Sequence, residues 1–368
     1  MATICDVALP ERGASRDLFV AGEGGYHTYR VPSLAVTARG TVLAFCEGRR
    51  RNASDTGLIE IVSRRSTDGG KAWGPATVVV AEAKMTCGNA TPIVDPRTGT
   101  IWLPFCKNRE DGPEPLIFEG KAPRTAWMTR SDDDGVTWAE PWEITAQVKR
   151  PDWTWFAFGP GHGIALEGGR LLVPSVHARA VDYRHSDPCR AHVTFSDDHG
   201  ATWSPGGVVD VPTSSECELA EIAPGTVYLN ARYESPEGGR VSAWSRDGGI
   251  SFDEVAVDAT LNDAMCQGSL ARVSPVHPMR LVLVNASGAS TKRERLVARL
   301  SSDGGRTFGE TRLLDPGHAA YSDLVVLSDG TALCLYERGE KHAYERLCLI
   351  RFAPIPAARR SPSDLSRI

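Results

Sequence analysis

The sequence predicts an all-β chain folded as a six-bladed β-propeller. Three observations predict it. An eight-residue turn motif recurs five times, short apolar runs lie between 36 glycines and 24 prolines, and no long segment shows helical periodicity with caps. The motif has the form S-x-D-x-G-x-x-W/F. Its copies run from Ser66 to Trp73, Ser131 to Trp138, Ser196 to Trp203, Ser245 to Phe252 and Ser301 to Phe308, at spacings of 65, 65, 49 and 56 residues. Asp and Ser side chains hydrogen-bond nearby backbone N–H groups and Gly takes positive φ, so each copy reads as a hairpin turn whose aromatic packs between sheets. The copy containing SDDDG resembles part of a calcium loop, but it lacks the glutamate at loop position 12 and the flanking helices. These aspartates are therefore read as structural.

The strand-like runs follow in order: 41–48, 59–66, 100–106, 170–176, 191–196, 226–232, 279–287, 324–330 and 347–352. Some alternate with period two. In 191–196, Ala191, Val193 and Phe195 share one face and His192, Thr194 and Ser196 the other. Others are apolar throughout, as expected of strands covered on both faces. Four short strands fit in each repeat, and 368 residues divide into six units of about 61. Five turns leave one unit without the motif. Residues 1–28 or 309–354 are expected to supply the closing strands of a single domain spanning 1–368, with its core at about 18–353 and a frayed tail, SPSDLSRI.

Composition narrows the function. Hydrophobic residues make up 41% and charged residues 24%, which is the balance of a globular protein rather than a disordered or collagen-like chain. No run approaches the length of a membrane span. A net charge of −5 argues against a general nucleic-acid or anionic-membrane footprint, so an anionic ligand would need a local arginine cluster. The nine cysteines include no CxxC pair, and several sit in apolar runs, as small buried hydrophobes do. No basic region followed by an apolar stretch opens the chain, and the sequon at Asn52 lies beside candidate catalytic residues; both point to a cytoplasmic location.

The five turns resemble the Asp-boxes of the sialidase (exo-α-neuraminidase) family, and further family motifs follow in order. Tyr29-Arg30-Val31-Pro32 resembles the R-I-P motif, with Val for Ile. Glu47, Arg49 and Asp55 match the segment bearing the catalytic acid, and Glu216-Cys217-Glu218 resembles the E-C-Q motif. Arg232, the CQGS run at Gln267, Arg293, the YSDL run at Tyr321, and Glu337 complete the set, over roughly residues 18–353. The resemblance implies a retaining hydrolase acting on α-linked sialic acids of oligosaccharides, glycoproteins or glycolipids, with no metal or cofactor. Transfer to another sugar, intramolecular transfer, and a non-catalytic sialoglycan-binding propeller are the competing readings.

The residue types suit that chemistry. A sialic acid carries a carboxylate on its anomeric carbon, and guanidinium groups grip a carboxylate with two parallel hydrogen bonds. The resemblance makes Arg30, Arg232 and Arg293 the arginine triad, with Glu337 supporting one of them and Arg49 and Gln267 also at the substrate. An attacking carboxylate would meet the substrate's own negative charge. A neutral tyrosine avoids this, and sialidases are the glycosidases that use one. Tyr321 is the expected nucleophile, with Glu216 as its base and Glu218 and Glu221 as nearby competitors. Asp55, in the loop NASDTG, is the expected general acid. Glu218 stands where relatives often have Gln. Val176 and His177 stand where mammalian cytosolic relatives carry tyrosines that reach the glycerol tail. Asn89, His162 and the loop 106–119 are possible pocket residues without assigned roles, His162 reading more as a turn or core residue than as a catalyst.

Overall fold

Strand Val42–Arg49 explains why the apolar runs become strands covered on both sides. Val42, Ala44 and Cys46 join one apolar cluster, with Leu18, Leu34 and Leu347, while Leu43 and Phe45 join another, with Ile101 and Phe105. The alternation of side chains along a strand divides a continuous apolar run between two neighbours. The computed structural model describes residues 15–179, 189–273, 276–289, 291–309 and 311–354. The tail SPSDLSRI and Cys5 lie outside them; the other eight cysteines are buried and unpaired.

The architecture is all-β. The described strands form sheets of seven, nine, five and four strands, joined almost entirely by antiparallel meanders, with only two single-turn helices, Glu114–Phe118 and Thr145–Val148. The first meander runs Thr28–Val36, Val42–Arg49, Ile59–Ser66 and Thr77–Val80. Met85–Gly88 bridges it to the next, which contains Ile101–Arg109, Arg124–Ser131 and Trp142–Glu143. The long strand Thr311–Val326 pairs through its first half with Glu294–Ser301 and through its second with Ala332–Gly339. Closure comes from both chain ends. Ser15–Val20 pairs antiparallel with Arg346–Phe352, so residues from 1–28 and from 309–354 both contribute.

The five repeated turns share one hydrogen-bond pattern. In each, Ser Oγ donates to Asp Oδ1 at 2.8 Å and accepts the N–H of the second glycine position at 2.8–2.9 Å. The Asp then accepts the backbone N–H four residues on, at 2.8–2.9 Å. The last glycine has φ between 76° and 87° in all five, a region that disfavours any side chain. Each turn joins the third strand of a meander to the next strand. The aromatics pack into the apolar clusters, Trp203 and Trp138 among them.

The polar face of 191–196 is buried too, between sheets. Thr194 meets Ser175 at 3.0 Å, and His192 Nδ1 lies 3.1 Å from His177 Nδ1, whose ring stacks on Trp153 with centroids 3.7 Å apart. Burial, with nearby arginines, lowers His177 to about 3. Burial, with His177 beside it, holds His192 well below the usual histidine range. The unfolded chain therefore takes up protons near pH 6.5 that the folded chain refuses. Stability is fully present above that pH and falls as pH drops through it, by about 1.4 kcal/mol per pH unit for each such proton. Replacing His177 by Phe, which keeps a stacking ring, is expected to remove about one proton's worth of this slope in denaturant titrations between pH 6.5 and 4.5. An unchanged slope would refute the assignment.

Candidate active site

The pocket of about 550 Å³ at one end of the strands gathers residues from across the chain. Arg30 comes from the first strand of its meander, Arg49 from the end of the second, and Asp55 from the loop after it. Glu216 and Arg232 face each other from Ser214–Ala223 and Thr226–Tyr233. Tyr321 lies on Thr311–Val326, and Arg293 just before Glu294–Ser301. All seven line the pocket.

Tyr321 and Glu216 form its centre. Tyr321 Oη donates to Glu216, with oxygen distances of 2.6 and 2.8 Å, and Arg232 Nη1 donates to Glu216 Oε2 at 2.8 Å and to Tyr321 Oη at 3.0 Å. Burial and the Glu216 charge push the Tyr321 hydroxyl well above its ordinary range, against the pull of Arg232 and Arg293. The phenol therefore holds its proton and keeps an acceptor for it at hydrogen-bond distance.

Asp55 is the opposite case. Its side chain is 63% exposed at the mouth of the pocket and pairs with Arg49 Nη2 at 2.7 Å and Arg30 Nη1 at 3.2 Å. Burial of its surroundings raises its pKa, but Arg49 and Arg30 outweigh this and hold the carboxyl below the usual range. Arg49 is itself buried. It is anchored on Glu47 Oε2 and donates to Ala53 O at 2.6 Å, which ties down the loop carrying Asp55. Arg30 is gripped by both oxygens of the fully buried Glu337, at 2.9 and 3.2 Å.

One expectation is corrected. Gln267 is only 1% exposed and lies behind the pocket: its Oε1 accepts the N–H of Ser322 at 3.0 Å and its Nε2 donates to Gly268 O at 3.1 Å, so it braces the Tyr321 strand. Val176 and His177 face the core rather than the pocket. Glu221 is turned away, accepting the N–H groups of Glu167 and Gly225. Asn89 does line the pocket, accepting from Arg124 Nη2 at 2.7 Å. The loop 106–119 contributes Glu114 and Phe118, the latter stacked on Trp155 with centroids 5.4 Å apart. Arg124 and Trp155 were not singled out from sequence. The only sign of Arg124 was an arginine opening a strand-like run.

His162 lies outside this pocket, with Nδ1 2.8 Å from Asp323 Oδ1 and 3.8 Å from Glu218 Oε2. Burial and the adjacent Asp323 push Glu218 well above the usual carboxylate range. A protonated Glu218 is neutral, as a Gln in its place would be.

A repeat-built β protein with an arginine-rich pocket around a Tyr–Glu pair is the class these features define. The BNR repeat-like domain family model matches residues 40–334. The sialidase of Micromonospora viridifaciens is 34% identical over 347 residues, covering 88% of this chain and 52% of that protein. The exo-alpha-sialidase of Aspergillus fumigatus is 31% identical, covering 83% and 77%. Hadza microbial sialidase Hz136 superposes with a TM-score of 0.82 at 27% identity, over 92% of this chain and 68% of the other. The chain belongs to the sialidase family with BNR repeats. It spans about half the length of the Micromonospora relative.

The Glu218 environment gives a pH test. Unfolded Glu loses its proton near pH 4.3, while the folded chain keeps it, so this group's contribution to stability falls as pH rises above that value. Glu218→Gln is expected to melt like wild type at pH 4 and several degrees higher at pH 8. A difference that stays constant across this range would overturn the protonated state.

Proposed function

We propose that this chain is a retaining exo-α-sialidase that releases terminal α-linked sialic acids through a tyrosyl-enzyme intermediate. The observation that carries the reading is the Tyr321–Glu216 hydrogen bond of 2.6 Å, set among Arg30, Arg232 and Arg293. In this reading the whole of 1–368 is one six-bladed propeller. Split at Met85–Gly88 and within Thr311–Val326, the described strands fall into six meanders. Apolar clusters lie between consecutive meanders and between the last and the first, as a closed ring requires. The last meander takes its outer strand from the N-terminus, so it has no third-to-fourth hairpin in which a sixth Asp-box would sit.

The substrate carboxylate docks on the three arginines. Tyr321 Oη attacks the anomeric carbon as its proton passes to Glu216, and Arg232 donates to the oxygen on which negative charge develops. Two unit charges about 4 Å apart repel by about 4 kcal/mol at a surface-like dielectric, which is the penalty a carboxylate nucleophile would face. Asp55 protonates the leaving oxygen. Its carboxyl is held ionised by Arg49 and Arg30, and a substrate carboxylate arriving at Arg30 draws off part of that cationic field, raising the acid toward a working range. In the second step Asp55 takes a proton from water, water attacks the same carbon, and the tyrosyl oxygen leaves with the proton held by Glu216. Two inversions give net retention.

Asp55→Ala is expected to be severely impaired on a sialyl-galactoside, whose leaving oxygen needs a proton, and much less on an aryl sialoside with an acidic phenol. Equal losses on both would count against Asp55 as the acid. A 2,3-difluoro sialic acid is expected to label Tyr321, located by peptide mass analysis, and the label is expected to vanish in Tyr321→Phe. An adduct on Glu216, or a β-anomer as first product, would overturn the mechanism but not the fold.

A further inference from the structure

Arg293 is held differently from the other two arginines of the cluster. Arg30 is gripped by Glu337 and touches Asp55; Arg232 lies against Glu216 and Glu234. Among the described residues, Arg293 has no carboxylate at ion-pair distance. Its side-chain hydrogen bond runs from Nη1 to Tyr344 Oη, at 2.8 Å. The same phenol ring lies against a second arginine, with Arg30 Cζ 4.3 Å from its centroid. Arg30 and Arg293 are also 5.1 and 5.2 Å from the Tyr321 ring, so two guanidinium groups and two tyrosine rings interleave, with Arg30, Arg293 and Tyr321 lining the pocket. Tyr344 sits in the turn between Ala332–Gly339 and Arg346–Phe352. It packs half-buried on the cluster containing Val31, Cys266 and Ala320, and its N–H donates to His342 Nδ1 at 3.1 Å.

We propose that Tyr344 is a positioning residue for carboxylate recognition: its hydroxyl aims Arg293 and its ring seats Arg30. The proposal rests on the reading of this pocket as an α-sialoside site. A carboxylate in place of the phenol would also pin Arg293, but it would cancel the charge and compete with the ligand. A hydroxyl accepts one N–H and leaves the charge and the remaining donors for a carboxylate ligand. The ring adds a cation–π contact that orders Arg30 without neutralising it. Oriented but uncancelled guanidinium groups bind the ligand before and during reaction alike, so the effect falls on KM more than on kcat.

Tyr344→Phe deletes the hydroxyl and keeps the ring. It is expected to raise KM for an aryl sialoside about fivefold and leave kcat within about twofold, the size of effect of one lost hydrogen bond. In an Arg293→Ala background the same change is expected to add nothing, because the hydroxyl acts through Arg293. Tyr344→Leu, which also removes the ring, is expected to lose more than Tyr344→Phe. Unchanged KM in Tyr344→Phe, or an equal loss in the Arg293→Ala background, would overturn the proposal. Nitrogen-15 NMR of the Arg293 side chain reads the positioning without any substrate: its signal is expected to shift, and guanidinium rotation to quicken, in Tyr344→Phe. An unmoved signal would also overturn the proposal. Failure of wild type to turn over any sialoside would sink the functional reading instead, and the NMR comparison would still decide the role of Tyr344.

Discussion

One buried carboxylate organises the site. Glu337 accepts Arg30 Nε and Nη2, the backbone N–H of Val31 at 3.0 Å and the backbone N–H of Tyr321 at 3.2 Å. An unpaired buried carboxylate would cost several kcal/mol, and four donors are what makes this one tolerable. Three parts of the chain meet there: the first strand after the N-terminal closure, the strand carrying the proposed nucleophile, and the strand of Glu337 itself. The pair Arg30–Glu337 joins residues 307 positions apart. The same contact holds Val31 at φ 56°, a conformation that a β-branched residue rarely adopts, in a break of register between Arg30 and Ser33. That break re-aims Arg30 at the pocket while the rest of its strand stays in the sheet.

Around that anchor, the environment drives two ionisable groups in opposite directions. Tyr321 is pushed up by burial and Glu216, and Asp55, at the pocket mouth, is held down by Arg49 and Arg30 against the desolvation of its surroundings. In the proposed mechanism the nucleophile keeps its proton until attack, and the acid gains one as the ligand arrives. There the triggering charge is the substrate's own carboxylate. In that mechanism its arrival at the arginines changes the field at Asp55 and so couples recognition to catalysis.

The all-β architecture was legible because its signals are local. The hydrogen bonds of each Asp-box lie within eight residues, and the apolar runs announce strands covered on two faces. The proposed catalytic set was legible only through motif resemblance, since Asp55, Glu216 and Tyr321 are brought together by pairings far apart in sequence. What escaped has a physical reason in each case. Tyr344 acts on Arg293 across 51 positions from an unremarkable turn, and Arg124 is braced by Asn108 of another strand and by Asn89, just after Met85–Gly88. Gln267 sits in the right motif, but its amide is committed to Ser322 and Gly268. Val176 packs in an apolar cluster and His177 stacks on Trp153, so both are buried.

The antiparallel meander also separates stability from chemistry. A chain that enters its first strand at the pocket end returns there at the end of the second and finishes the third at the far end. Arg30 and Glu216 lie near the starts of first strands, and Arg49, Arg232 and Glu337 near the ends of second strands. The repeated Ser–Asp–Gly turns close third strands, so they lie away from the pocket. Their saturated aspartates fix each hairpin locally, and the apolar clusters between meanders fix the hairpins to one another. Strained Val31 and the cluster of like-charged arginines are destabilising features gathered at the opposite end. The fold tolerates them because the constraints that hold it together are located where no ligand has to bind.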